Sequence, residues 1–473
     1  MKVGLANSIN QHGPHNATKT SETLVRRALD RIARYDGYLN ALADINPHIV
    51  TMSETLDAGH VTNLKSGPLY GVPIVVKDNI LTTDGLRTTC NSQVFKEFYA
   101  PYEATVVNKL RAAGALVLGK ANCSEFAYFM AMGTMPSGFG SLHGQVRNPY
   151  DRTQDPLGSS TGSAVAVAAG LVPMALGTET NGSLVSPAMR MGIVTLKPTL
   201  GSVSRHGIVP ISSLQDTAGP MTENVRDTAR LFDVIKGYDP HDPLSVDHPS
   251  LSVATEPSVS ESIRGLRVAV LNYEQAPYTK QEKKMVDEAQ TVLEAAGCET
   301  VHVTHKISLI SNLKTLAPEF KRDLNHFLKR LGSHAPVSSL AELIAFNRNH
   351  AQHCLPYGQA IFHLSEGTDA RLKDPDYLTA RQQLDAAVKA FLAIFTTHDV
   401  DAIVTGRITG YAPIGGLPCL HVPGVSMPDA EPRGMLFIGQ KWTEETLLRL
   451  GYHYEQATQY RRPFDDTLLE PYL

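Results

Sequence analysis

Two serines and one lysine are the residues of this chain best suited to covalent chemistry. Ser159 and Ser183 lie 24 positions apart, each within a run of small residues, and Lys77 lies upstream at the end of an apolar segment. A serine nucleophile needs a base, and no histidine lies beside either serine. A lysine can serve as that base if burial keeps its amine neutral. Together the three residues indicate a serine hydrolase with a lysine base.

Each of these features also has a simpler interpretation. A lysine that follows an apolar strand is usually a strand-end charge, and a loop rich in glycine and serine often caps a helix or binds an anion. A phosphate-binding loop at 158–163 is disfavoured, because the segment lacks the Gly-Lys-Ser/Thr ending of that motif. The presence of both serines and the lysine, in this order and spacing, favours catalysis.

The motifs around these residues resemble those of the amidase signature family, and the match runs nearly end to end. The lysine lies in 71–79, the first serine in 157–163 and the second in 177–183. Further matching segments are 118–122, 147–150, 196–199, 216–221 and 451–458. The resemblance implies an α/β fold with a large, twisted, mixed, mostly parallel central sheet covered by helices on both faces. It also implies a single domain over 1–473, with a signature core at about 65–235 and a helical, substrate-side portion at about 280–473.

The resemblance assigns a role to each residue of the site. Ser183 matches the family's nucleophile, Ser159 the serine that bridges it to the base, and Lys77 the base. The matching peptide bond, Gly158–Ser159, is cis in the family. The backbone N–H groups expected to stabilise the oxyanion belong to Thr180, Asn181, Gly182 and Ser183, with Gly158, Ser160 and Thr178 in supporting positions. Glycine and asparagine suit such a turn because they tolerate left-handed backbone geometry.

Several positions depart from the common family pattern without touching the three central residues. They are Leu157, Thr161, Glu179, Asn181 and Val185. The form around Glu179 looks most similar to the peptide amidase branch, which removes the C-terminal amide from peptides. The segment 406–408 departs from the family at a loop expected to border the substrate pocket. The residues expected to wall that pocket are Phe126, Met130, Met132 and Met135, although methionine at such spacing also fits plain core.

The leading hypothesis is a cofactor-free amidase that hydrolyses a linear carboxamide and releases ammonia or an amine. A second hypothesis is the glutaminase-type component of a tRNA-dependent amidotransferase, which would require partner subunits. A third is transfer of the acyl group to an acceptor other than water. A non-enzymatic binding module is disfavoured by the intact Lys77, Ser159 and Ser183.

Composition narrows the range of partners. A net charge of −4 over 473 residues gives no indication of nucleic acid binding. The first residues contain no apolar signal segment, and the longest apolar run, 164–176, is short and interrupted by Gly170 and Pro173. We therefore expect a cytoplasmic protein without membrane contact, a monomer or homodimer, whose partner is a small-molecule or short-peptide amide.

Cysteine and histidine usage adds two further expectations. The five cysteines are scattered and form no Cys-x-x-Cys pair, which is typical of reduced thiols. His350 and His353 are three residues apart, a spacing that two metal ligands on a helix can have. Surface or pocket-lining histidines remain the favoured interpretation, so no metal is expected.

The pattern of apolar residues predicts the elements that position this chemistry. Helices are predicted at 21–35, 104–113, 163–170 and 225–235, and strands at 74–76, 115–119, 175–177 and 267–271. Residues 280–395 are predicted to be mostly helical. The order of helix then strand suits a sheet whose parallel strands are joined by helical crossovers.

Overall fold

The computed structural model describes residues 20–59, 67–131, 133, 135–251, 256, 258–309, 311–425 and 433–472. Its helices are α1 Ser21–Leu39, α2 Ile49–Asp57, α3 Thr105–Ala112, α4 Thr161–Ala168, α5 Val185–Met191, α6 Val225–Ile235, α7 Lys280–Ala295, α8 Leu313–Leu331, α9 Leu340–Asn349, α10 Ala351–Cys354, α11 Ala360–Glu366, α12 Pro375–His398, α13 Tyr411–Gly415 and α14 Glu444–Thr458. Its strands are β1 Leu42–Ile45, β2 Pro73–Lys77, β3 Leu116–Ala121, β4 Phe139–Gly140, β5 Gly144–Gln145, β6 Met174–Glu179, β7 Val194–Lys197, β8 Thr217–Thr222, β9 Arg267–Tyr273, β10 Glu299–His305, β11 Ala402–Thr405, β12 Cys419–Pro423 and β13 Gly434–Ile438.

Eleven strands form one mixed sheet in the order β1-β3-β2-β6-β8-β7-β12-β13-β11-β9-β10. Its parallel pairings lie in two blocks, β3-β2-β6 and β11-β9-β10, and its other pairings are antiparallel. The two parallel blocks are the places where helices such as α3, α4 and α7 connect successive strands, as parallel pairing requires. The large, mixed central sheet with helical crossovers is as predicted, and its parallel pairing is concentrated in these two blocks.

Helices cover both faces of the sheet. In β2, Ile74 and Val76 point into a core shared with α3, α6, α7 and α14, whereas Val75 points into a second core with α1, α4 and α5. This alternation follows from the two-residue period of a strand. Because β2 is buried on both faces, its run of apolar residues ends in a lysine that is completely enclosed.

Helix α4 is buried along its whole length, which explains its composition of small residues. A Cβ atom on Gly162 would lie 2.2 Å from the carbonyl oxygen of Ala41 and 2.4 Å from that of Asn122, so only glycine fits there. This close approach packs the start of α4 against the edge of the sheet. The preceding loop, which carries Ser159, is held in place with it.

The predicted elements are largely confirmed, with small shifts at their ends. The helix at 225–235 has the predicted bounds, whereas α1 runs four residues beyond its predicted end at 35. Thr20 caps α1, since its side chain accepts from the backbone N–H of Thr23. Within the described ranges no helix has the length and apolar character needed to cross a bilayer.

Candidate active site

The candidate site lies where β2 and β6 end side by side. These strands pair in parallel, with Val76 opposite Leu176, so Lys77 and Thr178 emerge at the same edge of the sheet. The carboxyl ends of parallel strands commonly form the binding sites of α/β proteins. Ser159 approaches this edge from the loop before α4, and Ser183 from the turn between β6 and α5.

A short hydrogen bond joins two of the three residues singled out in the sequence. The Nζ atom of Lys77 lies 2.7 Å from Oγ of Ser159, and both side chains are fully buried. The same Nζ atom lies 2.9 Å from Oγ1 and 3.4 Å from the carbonyl oxygen of Thr178. Burial is the main cause that lowers the pKa of Lys77 from 10.5 to about 8. A substantial fraction of this amine is therefore neutral near pH 8.

The loops that carry the two serines are joined through the backbone. The N–H of Ser160 donates to the carbonyl oxygen of Ser183 over 3.1 Å, and the peptide bond between Gly158 and Ser159 is cis. Ser183 is 9% exposed to solvent, so a ligand can reach its hydroxyl. Among the described residues the two serine hydroxyls make no hydrogen bond to each other.

The turn that leads to Ser183 contains backbone N–H groups without a described hydrogen-bond partner. Gly182 has a φ of 86°, a left-handed conformation that suits glycine. No described hydrogen bond uses the backbone N–H of Asn181, Gly182 or Ser183. Donors that are fixed in place and free to bind can stabilise a developing oxyanion.

Side chains beneath this turn hold it in place. The carboxylate of Glu179 accepts from the backbone N–H groups of Leu184 at 2.8 Å and Val185 at 3.1 Å. The hydroxyl of Thr180 donates to Oδ1 of Asp216 over 2.5 Å, and Gln215 donates to the carbonyl oxygen of Thr180 over 3.0 Å. The turn before the candidate nucleophile is thus fixed from both sides.

Sequence reasoning missed two contributors, Asn79 and Asp216. Nδ2 of Asn79 donates to Oγ1 of Thr178 over 3.0 Å, the same atom that contacts Lys77. Burial raises the pKa of Asp216 to about 7, while the hydrogen bond from Thr180 opposes that rise. Both residues lie in segments that match the family. Asn79 follows the lysine by two residues, and Asp216 directly precedes β8, so these positions in the sequence could have identified them as neighbours of the site.

Three of the four residues predicted to wall the pocket, Phe126, Met130 and Met135, are described by the structure and are buried. Phe126 and Met130 pack in a core cluster with α8, α9 and α11, and Met135 is also buried. Met132 lies outside the described residues. The residues at 126–128 all have left-handed φ values, 47°, 54° and 72°. Such values cost of order 1–3 kcal/mol each and concentrate at functional sites.

The neighbouring alanine connects this segment to the site. Ala127 lines a small cavity of about 10 Å³ together with Asn79, Thr178 and Thr180. The left-handed segment at 126–128 therefore borders, through Ala127, the residues that contact Lys77 or precede Ser183. This places the backbone of the predicted pocket segment at the site, while the side chains of Phe126 and Met130 lie in the core.

Two other sequence features have structural partners. The guanidinium of Arg407 pairs with Glu282 at 2.7 Å and donates to the carbonyl oxygen of Ala276 at 2.6 Å. His350 stacks on Phe346 with ring centroids 4.3 Å apart. The described part of the chain contains no group of three or more His, Cys, Asp or Glu side chains arranged to hold a metal ion. All five cysteines are buried and unpaired.

Comparison with known proteins points to one family. The family model Amidase matches residues 23–414. The crystal structure of a peptide amidase from Stenotrophomonas maltophilia superimposes with a TM-score of 0.87 at 36% identity, covering 94% of this chain and 95% of that one.

Sequence relatives extend over the same length. A probable amidase from Arabidopsis thaliana is 32% identical over 94% of this chain and 88% of its own. One component of the glutamyl-tRNA(Gln) amidotransferase from Symbiobacterium thermophilum is 35% identical over 92% of this chain and 93% of its own.

Proposed function

Since the chain belongs to the amidase family, we propose that it hydrolyses the C–N bond of a linear carboxamide through an acyl-enzyme on Ser183. The observation that supports this most directly is the 2.7 Å contact between Ser159 and the buried Lys77. A lysine held neutral by burial can accept a proton, and the bridging serine lies between it and the loop of Ser183.

In the first half of the proposed reaction, Oγ of Ser183 attacks the carbonyl carbon of the amide. Its proton passes to Ser159, whose own proton passes to Lys77. The negative charge on the substrate oxygen is stabilised by the backbone N–H groups of the 181–183 turn. When the C–N bond breaks, Lys77 returns its proton through Ser159 to the leaving nitrogen, which departs as ammonia or an amine.

In the second half, water attacks the ester carbonyl of the acyl-enzyme. Lys77 again takes a proton through Ser159 and then returns it to Oγ of Ser183 as the ester bond breaks. The product is a carboxylic acid, and the enzyme regains its starting protonation state. All proton transfers use groups of this chain, so the proposed cycle needs no cofactor.

For the substrate, we favour an amide carried on a peptide or similar extended chain. The support is the similarity to the peptide amidase from Stenotrophomonas maltophilia over nearly the whole length of both proteins. A second candidate is the glutaminase reaction of a tRNA-dependent amidotransferase, which the 35% identity to a component of such an enzyme supports. Transfer of the acyl group to an amine acceptor would use the same acyl-enzyme.

Ammonia release from a panel of amides tests the proposal and separates these candidates. The panel contains C-terminally amidated dipeptides, simple aliphatic and aromatic amides, glutamine and asparagine, each with and without hydroxylamine as an acceptor. Release from dipeptide amides supports the favoured substrate class, whereas release from glutamine alone supports the amidotransferase candidate. Hydroxamate formation at the expense of hydrolysis supports an acyl-enzyme intermediate, because hydroxylamine attacks such an ester in place of water.

Variants of the three central residues test the mechanism on the same panel. We expect Ser183→Ala to lower kcat by at least about 10³-fold and Lys77→Met to lower it nearly as much. Ser159→Ala should retain a small part of the activity. Ser260→Ala changes an exposed serine and is the matched control. Turnover by Ser183→Ala at the rate of the unchanged protein would overturn the proposal.

A further inference from the structure

A second pocket lies near the turn at 180–183. It is open to solvent, has a volume of about 360 Å³, and is formed by the loop at 205–216, the segment at 241–244 and the second half of α8. It shares Arg205, Ile208 and Asp216 with the small cavity beside Thr178. The pocket is therefore adjacent to the candidate active site, yet its remaining wall is built from other elements.

Most charged groups of this pocket neutralise one another. Arg205 pairs with Asp242, with Nε 2.9 Å from Oδ2, and both side chains are at least nine-tenths buried. Arg322 pairs with Asp323 over 2.6 Å. Asp216 is the remaining carboxylate of the walls, and its oxygens already accept from Thr180, Ile211 and Ser212. A ligand would therefore interact with the one arginine of the pocket that has no carboxylate partner among the described residues.

That cation is Arg330. Its Nη2 lies 2.9 Å from Nδ1 of His206, and no described carboxylate lies within ion-pair distance of it. Since an arginine N–H can only donate, Nδ1 of His206 accepts and the ring is neutral in this contact. Burial and the Arg330 charge both lower the pKa of His206, with burial the larger cause. The neutral ring leaves the charge of Arg330 uncompensated.

The surface next to Arg330 is aromatic and apolar. The His206 ring stacks on Tyr102 with centroids 5.0 Å apart and meets the His241 ring at a tilt of 36° with centroids 5.1 Å apart. The buried Phe327 and the exposed Leu244 line the same pocket. A cavity that combines an apolar and aromatic patch with a few placed polar groups has the character of a small-molecule site. Its complement is a molecule with one negative charge and an apolar body.

We propose that this pocket binds a small monocarboxylate with an apolar body, held by an ion pair with Arg330. Guanidinium groups favour carboxylates because two N–H donors can contact both oxygens. A carboxylic acid is also the product class of the proposed amidase reaction, so the biological meaning of the site rests on that function. The binding itself rests only on the pocket, and it can be measured without turnover.

The test is calorimetric titration of phenylacetate into the full-length Ser183→Ala protein. Three ligands are compared: phenylacetate, the uncharged phenylacetamide and inorganic phosphate. We expect phenylacetate to bind at least about tenfold more tightly than phenylacetamide, as the loss of a charge-assisted contact predicts. Phosphate should bind more weakly than phenylacetate because it has no apolar part. Equal affinity for phosphate would overturn the assigned ligand class.

Three further substitutions locate the bound carboxylate. Arg330→Gln removes the cation, and Leu244→Glu adds a carboxylate at an exposed position on the wall, so each should weaken phenylacetate binding at least about tenfold. Arg27→Gln changes an exposed arginine of α1 and should leave the affinity unchanged. Phenylacetate binding that survives both pocket substitutions, or no binding to the parent protein, would overturn the proposal.

Discussion

At the scale of single residues, Thr178 determines which way the lysine amine faces. A neutral amine has two N–H donors and one lone pair. The carbonyl oxygen of Thr178 can only accept, and Oγ1 of the same residue lies 2.9 Å from Nζ and can also accept. If both N–H groups point to Thr178, the lone pair points to the hydroxyl of Ser159 at 2.7 Å. This is the orientation that a base needs.

Substitution of Thr178 tests this orientation. We expect Thr178→Val, which keeps the shape and removes the hydroxyl, to lower kcat by about tenfold, the equivalent of one hydrogen bond of about 1.4 kcal/mol. Thr178→Ser keeps the hydroxyl and should retain most activity. The measurement is kcat for an amide that the protein hydrolyses. A Thr178→Val protein as active as Thr178→Ser would show that the hydroxyl does not position Lys77.

The pKa of Lys77 predicts how the rate depends on pH. Burial lowers this pKa to about 8, and the base is the neutral form. The value of kcat/KM should therefore rise with pH, pass its midpoint near pH 8 and level off above it. A pH profile of kcat/KM at constant ionic strength checks this. A midpoint near 10.5, the ordinary value for lysine, or a flat profile from pH 6 to 9 would contradict Lys77 as the base.

At the scale of elements, Glu179 connects the end of β6 to the start of α5. Its buried carboxylate accepts from the N–H groups of Leu184 and Val185, which directly follow the candidate nucleophile. The first N–H groups of a helix have no partner within the helix. The carboxylate of Glu179 is a hydrogen-bond acceptor for these N–H groups, and it fixes the direction in which the Ser183 turn enters the helix.

Removal of this carboxylate should cost both stability and activity. We expect Glu179→Ala to lower the free energy of unfolding by about 1–3 kcal/mol, because buried N–H groups lose their acceptor. Urea denaturation followed by circular dichroism measures this, together with kcat of the folded protein. Glu97→Ala changes an exposed glutamate and serves as control. An unchanged stability of Glu179→Ala would show that the carboxylate does not hold the turn.

The elements also show what could be predicted from the sequence. Apolar periodicity predicted α6 to the residue and most of β2 and β3, because these segments contact the core through a regular face or are enclosed on both sides. The left-handed segment at 126–128 and the contact between Asn79 and Thr178 depend on residues distant in the sequence. Local patterns carry no information about such contacts. The resemblance to a family supplied the three central residues, the cis bond at Gly158–Ser159 and the turn at 180–183, but not these contacts.

At the scale of the whole molecule, one sheet joins the signature core to the C-terminal portion. Strands β7 and β12 pair with Lys197 opposite Cys419 and Leu196 opposite Leu420. The only tryptophan, Trp442, lies at this junction, where its backbone N–H donates to Oγ1 of Thr199 over 2.9 Å and its ring stacks on His248. Trp442 thus reports on the contact between the two portions.

We predict that the chain unfolds as one cooperative unit, as a single domain should. The urea transitions measured by Trp442 fluorescence and by far-ultraviolet circular dichroism should then coincide. Trp442→Phe, followed by circular dichroism alone, checks that the probe does not itself change the transition. A fluorescence transition at clearly lower urea than the circular dichroism transition would show that the C-terminal portion is a separate domain.

Labelling by a fluorophosphonate tests directly whether Ser183 is the nucleophile and Lys77 the base that activates it. The modified residue is identified by peptide mass spectrometry, and the labelling rate is compared with that of Lys77→Met. We expect one adduct per chain, on Ser183, formed at least about 10²-fold more slowly without the lysine. An adduct on Ser159 or elsewhere, or a labelling rate that does not depend on Lys77, would contradict these roles.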